Sequence, residues 1–352
     1  KMSEKIKEKK QLLIFIAIAY GVTFLMGMLM WYAHVNNIDI SVFPNAQMFY
    51  PAAGIILAYL ITEKEKRLPK LFYWFFLIMT GFMILAAASV LVPDPLFFAK
   101  VPGLAVYTGM EWLMLTQVFM IGGSILAWIF IAAAGKERRK TAGLQWKNGR
   151  NSIFCVLVFV MLYFLRFAVA SALGGQMEMF RMIFEMPMTW MSLAAMPINF
   201  LLVFTAFFGE EYGWRYYLQP YLQKRFGLRG GVIVLGIMWG LWHLPVDFFY
   251  YSPDAGLVAA VSQQITCITL GIFFAWAYMK TQNIWVPVIL HFLNNNLIPI
   301  ISGTYSADVL QNQAIAWADL FPALLLNGLI FGGFLLAKEF NPASRSSSVP
   351  EE

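Results

Sequence analysis

Six polar residues sit in otherwise apolar stretches at spacings that could support chemistry. The segment Phe208-Gly209-Glu210-Glu211-Tyr212-Gly213-Trp214-Arg215 carries two adjacent carboxylates and an arginine. On an α-helix Arg215 reaches back to Glu211, four residues earlier, while Glu210 points about 100° away and is left for another role. The segment Trp239-Gly240-Leu241-Trp242-His243-Leu244-Pro245 carries one imidazole, and His291-Phe292-Leu293-Asn294-Asn295-Asn296 carries another. His291 and Asn295 are four residues apart and share a helix face. The chain has only three histidines. The third, His34, reads as a solvated residue of the first outer connection.

Glu210, Glu211, Arg215, His243, His291 and Asn295 therefore form the candidate catalytic set. Desolvation makes a glutamate a better general base toward a bound water. Neutral histidine and asparagine side chains can donate to a developing oxyanion. Together these groups suit hydrolysis of an amide or ester bond inside a bilayer. An alternative use of the same residues is a zinc site of Glu210, His243 and His291 with an open position for water. The spacing alone leaves both open. Other hydrolytic designs find no support: there is no Gly-x-Ser-x-Gly elbow, no His-Glu-x-x-His helix, no pair of membrane aspartates, no clear rhomboid-type serine and no cysteine expected beside a histidine.

The elements that must position this set are membrane helices. Of the 352 residues, 60% are hydrophobic and only 12% charged, about half the charged share of a soluble domain. That excludes a disordered chain, a disulfide scaffold and an ordinary soluble enzyme. Runs of about 20 apolar residues predict ten spans, at 12–33, 46–62, 71–91, 113–134, 153–173, 188–222, 230–250, 257–279, 284–301 and 313–337. The first is read as a helix that stays, not a cleaved signal. The 25 Lys and Arg test the list. All but Lys100, Arg166 and Arg181 fall in alternate connections or at the termini. The other connections hold Asp39, Asp94, Glu178, Glu185, Asp247, Asp254 and Asp308. Cytoplasmic loops collect basic residues, so the fold class is all-α and polytopic, with about ten transmembrane helices and both termini inside. The net charge of +6 then marks topology and contact with anionic lipid, not nucleic acid.

In this topology Glu210 and Glu211 lie about 17 Å from the cytoplasmic end of span six and His243 about 20 Å into span seven, with His291 about 10 Å into span nine. The chain divides into a four-helix N-terminal part (1–134), a basic cytoplasmic loop (135–152), a six-helix part (153–340) and a polar tail (341–352) expected to be disordered. Other polar residues near the spans have simpler readings. Arg166 snorkels or pairs, Asp319 and Glu111 are interfacial, and Gln263 and Gln264 bond between helices. Cys155 and Cys267 are buried small side chains and imply no disulfide.

Glu210-Glu211-x-x-x-Arg215, then Trp239-x-x-x-His243, then His291-x-x-x-Asn295, resemble the CAAX protease and bacteriocin-processing (CPBP) family of membrane proteases. The stretch from Lys280 to His291 looks like the family's approach to its last motif, and the likeness covers residues 153–302. The resemblance implies an eight-helix-like protease core with a site open to the cytosol. It implies Glu210 as general base, His243 as a group that binds and polarises the water, and His291 and Asn295 as oxyanion donors. Glu211 and Arg215 would order the site. Trp239 stands where the family usually has Phe, and Gln282 where Gly is common. The expected function is an intramembrane endopeptidase of the cell membrane acting on a membrane-associated, prenylated, leader or bacteriocin-type peptide. The expected partners are this substrate and membrane lipid. A metal-free site is preferred, with zinc on Glu210, His243 and His291 as the alternative. The competing reading is a non-catalytic immunity or scaffold protein of the same family; a transporter using the Glu210, Glu211 and Arg215 cluster lacks internal repeats to support it.

Overall fold

The computed structural model describes residues 3–92 and 108–341, with the backbone alone at 108–110. Every regular element among the described residues is helical. The chain begins with α1 (Glu4–Ile16), which passes through a π-helical turn (Ala17–Val22) into α2 (Thr23–Val35). It continues with α3 (Val42–Gln47), α4 (Tyr50–Thr62), α5 (Lys70–Ser89), α6 (Thr108–Ala133) and α7 (Gly135–Thr141). Next come α8 (Gly149–Leu173), α9 (Met177–Glu185), α10 (Pro187–Glu211), a π-helix (Tyr212–Leu218), α11 (Gln219–Trp242), α12 (Leu244–Val246) and a further π-helix (Asp247–Tyr251). The last long helices are α13 (Gly256–Thr281), α14 (Trp285–Ile301) and α15 (Trp317–Ile330).

Six helical stretches are long and apolar enough to cross a bilayer: Glu4–Val35, Lys70–Ser89, Glu111–Ala133, Gly149–Leu173, Pro187–Trp242 and Pro253–Thr281. Large apolar side chains point outward along them, including Met28, Leu85 and Val118, each about two-thirds exposed. Such faces suit lipid rather than water. The chain is a multi-pass, all-helical membrane protein. Three of the expected spans are shorter than a perpendicular crossing needs: α4 has 13 residues, α14 has 17 and α15 has 14. Spans six and seven fall on one 56-residue helical stretch, which is broken at Gly227. There φ is +76° and ψ 168°, a conformation essentially reserved for glycine, and it reverses the chain. Gly231 then lies so close to the Gln223 backbone that a methyl group would meet it at 2.5 Å. Asp94, Lys100 and the tail from Pro342 lie outside the described residues.

By packing, the described chain forms two units. The first comprises residues 1–145 and 201–213. Its α5 aromatics Phe72 and Phe76 meet Phe208 edge-on at 5.5 and 5.6 Å. Ser124 shares a 2.8 Å hydroxyl hydrogen bond with Thr205, and Trp128 donates to the Leu201 carbonyl. Gly209 and Gly213 lie on the turn from Met48 to Pro51. A methyl on Gly209 would collide with the Met48 carbonyl oxygen, and one on Gly213 would be 2.5 Å from the Pro51 side chain. This small-x-x-x-small spacing lets two backbones touch.

The second unit comprises residues 146–200 and 214–352. Its centre is α11 against α13. A methyl on Gly236 would come 2.7 Å from the Ile268 Cα, and one on Gly240 would meet the Gln264 amide at 2.6 Å. Gln264 donates to the Gly236 carbonyl at 3.0 Å, the interhelical bond expected of it. At the turn between α13 and α14, Asn283 donates to the Lys147 carbonyl and accepts from the Trp285 backbone N–H. This fixes where α14, and hence His291, begins. Gln282 caps α13 in the left-handed region, at φ +50°. That explains why glycine suits this position, since a Cβ there costs about 1–2 kcal/mol. Gln282→Gly should raise the unfolding free energy by up to about 1 kcal/mol, read as a higher melting temperature in detergent.

The C-terminal strap is tied back onto this unit. Glu339 accepts from Trp276 Nε1 at 3.1 Å and pairs with Lys280 Nζ at 2.9 Å. Arg229 donates to the Leu335 carbonyl and to Asn341 Oδ1. Burial acts to raise the Glu339 carboxyl, but the Lys280 hydrogen bond and charge, with smaller help from Trp276, hold it below its ordinary value of 4.5. A lowered folded-state value stabilises above the ordinary value and is lost as pH falls through the lowered one. Amide-exchange protection of residues 335–341 should therefore fall on acidification below 4.5, and Glu339→Gln should remove that pH dependence.

Candidate active site

Glu210 and Glu211 end α10 in the first unit, and both are buried, at 2% and 0% exposure. The aromatic residues on either side hold the backbone that carries them. Phe208 stacks on Tyr212 at 4.7 Å. The Tyr212 hydroxyl donates to the Ala142 carbonyl at 2.8 Å and so must accept from the Tyr73 hydroxyl at 2.6 Å. Directly after Glu211 the helix becomes π-helical over Tyr212–Leu218. Its bonds run i to i+5, not i to i+4. The α-helical register expected to align Arg215 with Glu211 is therefore altered. π-Helical turns of this kind concentrate at functional sites.

The second unit gathers Arg215, His243 and His291 on an aromatic platform. Arg215 is fully buried, with its guanidinium 4.9 Å over the Trp239 ring and 5.6 Å over Phe274. Trp239 lies 5.8 Å from the His243 ring and 5.5 Å from the His291 ring, centroid to centroid. Phe274 lies 6.0 Å from His291 and 6.2 Å from Trp239. A buried guanidinium over such faces gains about 2 kcal/mol or more from cation–π attraction. Phe in place of Trp239 would offer a smaller face.

His243 sits at a helix break, not in the middle of a continuous span over 230–250. The α-helix ends at Trp242, and α12 restarts at Leu244. Pro245 explains the break, since it has no N–H to donate to the preceding turn. The break leaves the Trp239 carbonyl to the imidazole, and His243 Nδ1 lies 2.8 Å from it. A carbonyl only accepts, so Nδ1 carries the proton. In the neutral ring Nε2 is then an acceptor.

Asn295 is oriented by its neighbour. Asn294 donates from Nδ2 to Asn295 Oδ1 at 2.9 Å, which leaves the Asn295 amide nitrogen as its donor. Asn294 is itself held by Tyr163, whose hydroxyl donates to the Asn294 carbonyl at 3.0 Å.

Other residues singled out in the sequence fall as follows. Cys267 lies 3.7 Å from His243 Nδ1, so a cysteine does stand beside a histidine. It meets the ring on the nitrogen that donates to Trp239, which is the wrong side for the imidazole to act as its base. Gln263 donates along its own helix to Cys267, not between helices. Glu111, expected at the interface, is buried. Asp247, expected among the outer-loop acids, is fully buried. Arg166 is paired: its Nε donates to Asn327 Oδ1. Asp319 caps α15 by accepting from the Ala316 N–H at 2.8 Å. His34 is exposed in the last turn of α2. Both cysteines are buried and neither forms a disulfide. Among the described residues, no group of three or more His, Cys, Asp and Glu is arranged to hold a metal ion.

Comparison with known proteins falls on the segment carrying these motifs. Residues 192–297 match the family described as type II CAAX prenyl endopeptidase Rce1-like. The chain is also 30% identical over 125 residues to CAAX prenyl protease 2 of Methanococcus maripaludis. That alignment covers 34% of this chain and 46% of the relative, so the chain spans about half the length of the curated protein it matches. Both matches bear out the resemblance to CPBP-type membrane proteases. No solved structure matches.

Proposed function

We propose that this chain is an intramembrane endopeptidase that hydrolyses a peptide bond with water activated by Glu210. In this reading Glu210 takes a proton from water and the hydroxide attacks the scissile carbonyl. His243 receives a hydrogen bond from the water at Nε2. His291 and the Asn295 amide nitrogen donate to the oxyanion. When the C–N bond breaks, the proton passes from Glu210 to the leaving amine. Glu211 and Arg215 order the site. The observation that carries the reading is the Trp239 platform, on which Arg215, His243 and His291 converge. The matched segment, which spans every residue of the set, supports it.

The substrate is a membrane-associated peptide or lipidated protein, and the name of the archaeal relative favours a prenylated C-terminus over a leader or bacteriocin-type peptide. The N-terminal part, residues 1–134, is accessory to the protease core at 153–340. In this reading the chain has ten spans with both termini inside, lies in the plasma membrane and opens its core to the cytoplasm. Purified protein in detergent should cleave one class within a panel of farnesylated, leader and unmodified peptides. Failure to cleave any of them would defeat the reading.

The hydrolysis proceeds without a metal. Activity should survive exhaustive chelation, and metal analysis should find no stoichiometric zinc. Zinc present at one equivalent, and lost together with activity in His243→Ala and His291→Ala, would replace the glutamate–water scheme with one on Glu210, His243 and His291.

A further inference from the structure

The second unit contains a cavity of about 330 Å³, lined by both polar and apolar residues, that the hydrolytic scheme does not use in full. Asn295 forms part of its wall, so the cavity adjoins the candidate site. Asp247 also lines it. This carboxylate is one helical turn from His243, and its backbone N–H donates to the His243 carbonyl at 2.9 Å. The side chain is fully buried, and neither of its oxygens has a hydrogen-bond partner among the described residues. A buried carboxylate without donors is costly, so the position calls for a ligand that supplies them.

The rest of the wall says what kind of ligand that is. The amide nitrogens of Gln263, Gln313 and Asn294 are directed at protein acceptors, namely Cys267 Sγ, the Leu310 carbonyl and Asn295 Oδ1. These side chains therefore present acceptor oxygens to the cavity. The cavity also has one cation, Arg166. Its Nε donates to Asn327, and its guanidinium lies 4.9 Å over the Phe167 ring. Of the two charged groups, Asp247 is the one without such partners. The wall is rich in acceptors around a carboxylate without hydrogen-bond donors, which fits a group with several N–H donors and a positive charge.

We propose that Asp247 anchors a recognition subsite for a lysine or arginine side chain of the peptide substrate. This rests on the endopeptidase reading for its role in specificity, while its ligand chemistry stands on the cavity alone. The ammonium or guanidinium donates to both Asp247 oxygens and is surrounded by the glutamine and asparagine oxygens. Asn295 on the same wall sets the distance between the anchored side chain and the scissile bond. Asp247 is a recognition residue here and takes no part in bond breaking.

The test separates binding from turnover. Affinities of full-length Glu210→Gln protein are measured for a matched set of peptides carrying lysine, arginine, norleucine or glutamate at one scanned position. At one position the lysine or arginine peptide should bind about tenfold or more tightly than the norleucine peptide, as a charge-assisted hydrogen bond requires. Adding Asp247→Asn should abolish the preference, and Asp247→Lys should turn it toward glutamate. Should either variant fail to fold, judged by its melting temperature, Asp247→Ser replaces it. Equal affinities at every position, or a preference that survives the loss of the carboxylate, overturn the subsite. Cleavage by the wild-type protein is scored separately. Absence of cleavage with an Asp247-dependent binding preference defeats the endopeptidase reading and leaves the cation subsite standing. Cleavage without that preference does the reverse.

Discussion

Glu210→Gln should remove peptide cleavage while leaving the protein folded. The glutamine keeps the shape of the side chain but is neutral and cannot accept a proton from water. General-base catalysis is worth about 10²–10⁴-fold, so kcat should fall by at least that range with KM little changed. Unfolding in detergent should move little, because the packing around residue 210 depends on its neighbours. Phe208 stacks on Tyr212, and Gly209 meets the Met48 backbone. Single-turnover assays with a cleavable peptide give the rate, and a melting curve on the same preparation gives the stability. Full activity in the glutamine variant would rule out Glu210 as the base. A large loss of stability would instead show that the carboxylate holds the first unit together.

The candidate set stands out in the sequence because charge is scarce in this chain. With 12% charged residues, a polar group in an apolar run has little else to explain it. The fold class was legible for the same reason. The site's fine geometry was not. The switch from α- to π-helix after Glu211 has no composition signal, since Tyr212–Leu218 reads as ordinary helix. The break at His243 did have a signal in Pro245, but an apolar window of 20 residues overrides a single proline. The long run over 188–250 hid its own reversal at Gly227 for a similar reason: glycine in an apolar helix is common, and only φ shows which one turns the chain. Asp247 was misread because charge was sorted by loop. Its spacing of four from His243, on the same helix side, was the better guide. The aromatic faces of Trp239 and Phe274, over which the Arg215 guanidinium lies, carry no spacing signal in the sequence.

The second large effect separates the two nitrogens of His243. Nδ1 is structural: it donates to the Trp239 carbonyl left open by the helix break. Nε2 is the nitrogen assigned to the water. Asparagine places an amide N–H near the Nδ1 position and nothing near Nε2. His243→Asn should therefore keep the bond to Trp239 and the melting temperature, yet lose about 10²–10⁴ in kcat. His243→Ala loses both functions. It leaves the Trp239 carbonyl without its donor, at a cost of about 1–3 kcal/mol, and removes a ring that packs against Trp239 and, at 4.9 Å, against Trp242. Its melting temperature should fall as its activity does. His243→Gln reaches toward the Nε2 position with an amide oxygen that can still accept from water, so it should retain more activity than the asparagine variant and less stability. Activity in the order glutamine above asparagine, with stability in the reverse order, is the signature of one nitrogen holding the ring and the other serving the reaction. Loss of stability in the asparagine variant equal to that of alanine would mean that the Trp239 bond does not orient the ring, and the assignment of Nε2 to the water would fall with it.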